Sequence, residues 1–383
     1  MSKLIEISIL KNYPSSNVNR DMGGSPKSCY FGDVQRGRIS SQCLKRTIRT
    51  SDYIKESLGS NTTGIRTRRT DVLVYEELEK RGDYTSYYSE INKLLNTLGK
   101  GSEKEEKSAE KDSEKELKGS KTIQIYSSAD ISKICDIIVD AINEGQNLKD
   151  IKLEKILEKD FDIRPITLDI ALFGRMAATK SFSTIEGCMQ VAHAISINKL
   201  KLENDYFTAV DDIVEREVGE SGSGHLGDFE FNSSCFYHYY NLDTGKLFSN
   251  LENTEKSKEA IYNILKPLIE TICLENPNGK QNSFAAFTVP DLVMIEIKDK
   301  KIPVNYMNAF LTPIKNDENG NIVENGILAL SNYVDKVEKA FPFETTRFWL
   351  NLSGNTEVHP TNSECVSDLN VLINKVIEEV KEV

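Results

Sequence analysis

NRDMGGSPKSCYFGDVQRGRISSQCLKRTIR, residues 19–49, gathers Arg20, Lys27, Arg36, Arg38, Lys45, Arg46 and Arg49 against only Asp21 and Asp33. The chain as a whole runs the other way, with 48 Lys and Arg against 59 Asp and Glu over 383 residues. Residues 1–70 hold 13 basic and 5 acidic side chains, whereas the remaining 313 hold 35 and 54. Cations concentrated on an otherwise acidic protein are the electrostatic mark of a polyanion contact, read here as a nucleic-acid backbone site. A solvated basic helix with no ligand is the competing reading.

Spacing favours the first reading. SSQCLKRTIRTSDYIKESLG, residues 40–59, predicts a helix with Ser40 or Ser41 as N-cap and Gly59 just past its end. At ~100° per residue, Gln42, Lys45, Arg46 and Arg49 share one face, and Leu44 and Ile48 fall opposite, ready to pack on a core. Ser40 lies at the helix N-terminus, where free backbone N–H groups and the positive dipole end suit a phosphate. Upstream, KLIEISIL (3–10) alternates with Ile5, Ile7 and Ile9 on one face and predicts a strand. The intervening loop, with Pro14, Asn17, Asn19, Gly23, Gly24 and Pro26, would carry Arg20 and Lys27 on a support of rigid elements.

Further along, helical periodicity over 52–98 and 130–160 predicts that 60–160 is a mainly helical insertion into a β-rich body. Within it, residues 99–121 hold seven lysines, seven acidic residues and almost nothing apolar, a composition suited to a disordered or fraying surface segment. ITLDIALFGRMAA (166–178) alternates as a strand up to Gly174, and STIEGCMQVAHAISIN (183–198) repeats apolar residues at helical spacing. FEFNSSCFYHYYNLD (229–243) and PDLVMIEIKD (290–299) supply two more strands. The mixture predicts an α+β, ferredoxin-like body with insertions. Residues 204–230, with glycines 219, 222, 224 and 227, read either as a plain surface hairpin or as a projecting loop. In the second case the apolar Phe207 and Leu226 would meet a base or a neighbouring subunit.

Composition also excludes. No segment approaches the ~20 apolar residues of a membrane span, and no signal-peptide h-region opens the chain, so a cytoplasmic protein is expected. Seven scattered cysteines without a CxxC pair fit reduced thiols rather than disulfides or a zinc site. The histidines 193, 225, 238 and 359 have no sequence partners suggesting a triad, and no nucleophile or phosphate-loop motif is present. His193 is expected as a structural residue on a helix. Asp33 and Asp21 leave one enzymatic reading open, metal-assisted cleavage of RNA. Ion pairing with the neighbouring arginines is the plainer one.

The stretch ISILKNYPSSNVNRDMGGSPKSCYFGDVQRGRISSQCLKRTIR resembles the N-terminus of the CasC family, the backbone subunit of type I-E CRISPR surveillance complexes (Cascade). The resemblance continues through DIALFGRMA, EGCMQVAHAISIN, DYFTAVDD, SGSGHLGDFEFNSSCFYHYYNL and GKQNSFAAFTVPDLVMIEI, in the family's order from residue 5 to about residue 300. It implies a hand: an RNA-recognition-motif-like (ferredoxin-like) palm, a helical fingers insertion and a thumb loop. The palm would comprise 1–59, 161–203 and 231–383, with fingers at 60–160 and a thumb at 204–230. Copies would stack along a CRISPR RNA whose pairing with target DNA carries the sequence specificity. Other Cascade subunits are implied partners; no membrane, cofactor, metal or catalytic residue is implied. The resemblance places Arg20, Lys27, Ser40, Gln42, Lys45 and Arg49 on the guide backbone, sets Met176 beside a guide base, and assigns Phe207, Thr208 and Leu226 to the thumb, which displaces a nucleotide. Arg38 and Arg46 join on charge and position. The usual ribonucleoprotein consensus strings are absent, so stacking of bases on sheet aromatics is not expected. Backbone subunits of the related type III complexes cut RNA with a loop aspartate, the role in which Asp33 would serve.

Overall fold

Leu4–Ser16 form the first strand, β1, and its even and odd residues are buried alike over most of its length. A strand covered on both faces must sit inside a layered sheet. The structure, a computed structural model, describes residues 2–59, 62–98, 123–159, 165–177, 181–210, 223–251, 255–318, 320–353 and 357–381. The charged segment 99–121 lies outside the described residues. Two units are resolved by their internal contacts: Met1–Ser57 with Met189–Gly245 and Glu259–Val383, and Leu58–Cys188 with Lys246–Lys258.

After β1 come a hairpin, β2 (Ser28–Phe31) and β3 (Val34–Ile39), and the helices α1 (Ser41–Thr50) and α2 (Asp52–Leu58). The second unit follows with β4 (Ile65–Thr67), α3 (Thr70–Glu79), α4 (Tyr88–Leu95), β5 (Gln124–Tyr126), α5 (Ser128–Asn143), α6 (Leu153–Lys159) and α7 (Leu168–Phe173). Then come β6 (Met189–Val191), β7 (Ala194–Ser196), β8 (Glu203–Val210) and β9 (Ser223–Asp243), followed by α8 (Thr244–Asn250), α9 (Glu255–Leu274) and α10 (Gln281–Phe284). The chain closes with β10 (Leu292–Lys298), α11 (Ile322–Ala340), β11 (Thr346–Asn351), β12 (Glu364–Cys365) and α12 (Leu369–Lys381).

In the first unit the strands run in the order β12-β11-β10-β1-β9-β7-β3-β2, with β6 and β8 also paired to β9. All pairs are antiparallel except β11 with β12. One face of the sheet, with Leu10, Tyr237, Tyr239, Met294 and Trp349, packs on Ile327, Leu330 and Val334 of α11. On the other face Ile9, His238 and Tyr240 line a small cavity together with Leu44 and Ile48 of α1 and Ile272 of α9. The second unit has its own core, in which Val74 and Leu78, Ile91, Ile134 and Ile138, and Leu153 and Leu157 join α3 to α6.

Register creates one electrostatic problem inside the sheet. Glu6 of β1 stands directly opposite Glu296 of β10, and both are buried. Like charges face to face on neighbouring strands repel, so each carboxylate has its own cation: Lys298 for Glu6, and Arg347 for Glu296 at 2.8 Å. Tyr239 and the Val304 amide also donate to Glu6, and Tyr306 donates to Glu296. Burial, with Glu296 alongside, still pushes the Glu6 carboxyl above its usual range despite Lys298.

Three expectations from sequence are corrected. Residues 168–173 form the helix α7 rather than a strand, closed by Gly174 at φ +83°. A short apolar run does not distinguish the two by periodicity, and here a positive-φ glycine stop decides it. Residues 183–198 are not a helix: they give β6 and β7, because the long strand β9 offers its free edge to Met189, Val191, Ile195 and Ser196. His193 therefore sits in the turn between two strands. The helix expected over 40–59 breaks at Ser51, whose ψ of 134° is extended and whose hydroxyl bonds Thr271.

His238, fully enclosed and hydrogen-bonded to Tyr240 at 3.2 Å, has its pKa driven down from 6.5 to about 3 by burial and then by Lys11. The unfolded chain takes up a proton below 6.5 that the folded chain refuses. This contribution is therefore fully present above pH 6.5 and lost as pH falls toward 3. Urea unfolding followed from pH 7 to 4 should show stability falling, with the His238 share at most about 1.4 kcal/mol per pH unit. His238→Gln should flatten that slope; parallel curves for parent and variant would refute the assignment.

Candidate nucleic-acid interface

The basic stretch folds into three pieces that are stitched to one another. Ser40 caps α1, its Oγ accepting from the Cys43 amide at 3.3 Å. The Ser40 amide in turn donates to Asn19 Oδ1 at 2.8 Å. The Asn19 carbonyl accepts from the Lys27 amide, and the Lys27 carbonyl accepts from the Arg38 amide. The loop carrying Arg20 and Lys27, the end of β3 carrying Arg38, and the first turn of α1 are thus one hydrogen-bonded body. Leu44 and Ile48 anchor α1 from below, at 4% and 3% exposure.

His193 closes the arrangement. Its Nδ1 accepts from the Ser41 amide at 3.3 Å and from Arg38 Nη1 at 3.2 Å. A ring nitrogen that accepts is unprotonated, and burial followed by the charges of Arg38 and Lys27 pushes the His193 pKa down in the same direction. This residue was missed as part of the interface because its segment reads as a helix. Its place beside Arg38 follows from the pairing of β3 with β7.

The cations divide by burial. Gln42 and Arg46 on α1 and Arg20 on the loop are exposed, and Lys27, Arg38 and Lys45 are half-buried. Arg46 and Arg20 line a cleft of about 880 Å³ with Asn19, Met22, Asn276 and Phe287. Arg49 does not join the exposed face; it is 9% exposed, in the last turn of α1 next to Ile48. Arg36 is fully buried and corrects its inclusion in the basic surface. Its guanidinium donates to the carbonyls of Ser196, Ile197, Phe310 and Leu311 at 2.8 to 3.2 Å. It ties β3 to the segments beside it rather than facing a ligand.

Both acidic residues of the stretch lie in turns. Asp21 Oδ1 accepts from the Ser25 amide at 3.0 Å. Asp33 follows Gly32 at the tip of the β2–β3 hairpin, both at positive φ (58° and 60°), as a tight two-residue turn requires. Gly32 is obligatory, since a Cβ there would lie 2.2 Å from the Leu311 carbonyl oxygen. Among the described residues no group of three or more His, Cys, Asp or Glu gathers as a metal would need, and no helix is long and apolar enough to cross a membrane.

In the glycine-rich region β8 and the first part of β9 form an antiparallel arm that places Phe207 opposite Gly227 and Thr208 opposite Leu226; residues 211–222 lie outside the described residues. The Phe207 ring lies over Gly227, where a Cβ would come within 2.5 Å of it. Phe207, Thr208 and Leu226 are brought together and all three are exposed. Phe229 and Phe231 both pack on Phe284, and Lys280 Nζ sits 4.1 Å from the Phe229 ring centre. Lys280 was not anticipated; only its left-handed backbone, φ 55°, marks it out. In the second unit Met176 is 92% exposed.

The family model for CT1975-like proteins matches residues 5–379. A chain of a CRISPR RNA-guided surveillance complex, pre-nicking, is 26% identical over 98% of this chain and 99% of that chain, with a TM-score of 0.80. A chain of another CRISPR RNA-guided surveillance complex is 20% identical over the same shares, with a TM-score of 0.73, and supports the fold alone. No curated protein matches the chain.

Ser40→Ala should cost about 1 kcal/mol in urea unfolding by removing the cap of α1. Ser40→Asp, which retains a capping oxygen, should recover most of it; equal losses for the two would show that Ser40 does not act as a cap.

Proposed function

The chain belongs to the CT1975-like family of Cas proteins, and from that premise we propose that it is the guide-RNA-binding backbone subunit of a Cascade-type complex, of the CasC kind of type I-E systems. The observation that carries this reading is the single hydrogen-bonded body formed by the loop of Arg20 and Lys27, Arg38 and the capped start of α1. Clustered cations favour phosphate and read no base, whereas the Ser40, Ser41 and Cys43 amides at the start of α1 are taken by Asn19, His193 and Ser40. In this reading Arg20, Lys27, Arg38, Ser40, Gln42, Lys45 and Arg46 hold the ribose-phosphate chain. Arg49 supports α1 from inside, and Met176 meets a base. The exposed Phe207, Thr208 and Leu226 on the arm are the thumb residues, and the large sheet is the palm in its RNA-recognition-motif-like form. Copies follow one another along the guide and present it in a pre-ordered form for pairing with target DNA, which lowers the ordering cost of that pairing. In this reading the subunit performs no chemistry, Asp33 serves only its turn, and destruction of the target falls to a recruited nuclease.

Protein purified from cells expressing a CRISPR array should carry RNA of one length, with a fixed number of subunits per RNA. Neutralising Lys27 and Lys45 together by alanine should weaken binding equally across spacer sequences. It should also reduce the slope of log K against log salt by about 1.4, as expected for two lost contacts to a single strand. Indifference to RNA oligomers in dilute buffer, or a loss that varies with spacer sequence, would overturn the proposal. Cleavage of complementary RNA with divalent metal, abolished by Asp33→Ala, would replace it with the endonuclease reading.

A further inference from the structure

Met176 is almost wholly exposed, while the residue before it is among the most firmly held in the second unit. Arg175 is 3% exposed and Asp130, at the start of α5, 1%. Arg175 Nη1 donates to Asp130 Oδ2 at 2.7 Å, while Nε and Nη2 reach the Ser183 carbonyl and hydroxyl at 3.1 and 3.0 Å. The guanidinium also lies 5.6 Å from the centre of the Phe182 ring. Asp130 Oδ2 accepts as well from the Ser127 amide, completing the capping box of α5. The backbone of Arg175 exchanges two hydrogen bonds with Ile185, each 2.9 Å. Just before it, Gly174 has φ +83°, and a Cβ there would lie 2.7 Å from the Ile185 carbonyl oxygen.

We propose that Asp130 and Arg175 are positioning residues for Met176, their buried ion pair tying the turn at 174–176 to the start of α5 and so fixing the direction in which Met176 meets a nucleobase. The inference rests on the guide-binding function proposed above. A methionine side chain is long, unbranched and polarizable, suited to a flat ring edge but unable to aim itself. Only its backbone can be aimed. A buried ion pair contributes little more stability than apolar residues of the same volume, so the geometry it imposes is the property that an apolar pair would lose.

Guide-RNA affinity of the full chain, measured in a double-mutant cycle, tests this. Met176→Ala should weaken binding about three- to tenfold. Asp130→Asn should weaken it less, and should add nothing once Met176 is alanine. Because Asp130→Asn could unfold the unit, Asp130→Leu with Arg175→Met supplies a packed apolar pair; having given up the bonds to Ser127 and Ser183 it should melt below the parent, but at temperatures where it is folded it should show the same Met176-dependent loss. Losses that add in the cycle, or an apolar pair that binds like the parent, would overturn the positioning role while leaving the function intact. Parent-like binding by Met176→Ala would overturn both this inference and the place of Met176 at the guide.

Discussion

β9 runs unbroken through 21 residues, from the arm into the middle of the sheet, and the strict alternation of its side chains binds those two regions together. In the sheet its odd residues Tyr237 and Tyr239 face α11, and its even residues His238 and Tyr240 face α1 and α9. In the arm the odd Phe229 and Phe231 share Phe284, and the even Leu226 is left exposed. The ladder to β1 fixes the register through ten successive pairs from Leu4–Asp243 to Tyr13–Ser234, before an irregularity near Pro14. The arm thus inherits its exposed residues from decisions made in the core. Length can change within such a strand by two residues but not by one.

Charge is divided with similar economy. Lys298 and Arg347 neutralise the facing glutamates of β1 and β10, Arg175 holds the second unit's turn, and Arg36 fastens β3. None of these buried cations is available to a ligand. Arg20, Lys27, Arg38, Lys45 and Arg46, by contrast, are exposed or half-buried, on the loop of residues 19–27, β3 and α1. Under the proposed function, five cations close together on an otherwise acidic chain mark that part of the first unit for a polyanion.

Much of this was legible in the sequence. The cap at Ser40, the stop near Gly59, the inward Leu44 and Ile48, and the strands of Ile5–Ile7–Ile9, of 229–243 and of 290–299 all follow from local pattern, and the fold is mixed α and β with a large, mostly antiparallel sheet. What was misread depended on distant partners. Nothing local distinguishes Arg36 from Arg38; the carbonyls of Ser196 and Phe310, far along the chain, draw the first inside. Residues 183–198 carry apolar residues at a spacing that serves a helix, and only the free edge of β9 made them strands. The position of Phe207 over Gly227 likewise depends on a register that composition does not contain.

Arg36 has a consequence for how the basic surface responds to its medium. Its bonded partners are carbonyl oxygens rather than carboxylates, so its positive charge is solvated by dipoles but not cancelled. Burial lowers its pKa, yet a guanidinium keeps its proton. Dissolved ions crowd around Arg20 or Arg46 and shorten their reach, but they have no access to a charge sealed beneath β3. The Arg36 charge is therefore never paired by a dissolved anion and adds to the positive potential over that part of the sheet, although its field in the solvent fades with added salt like any other.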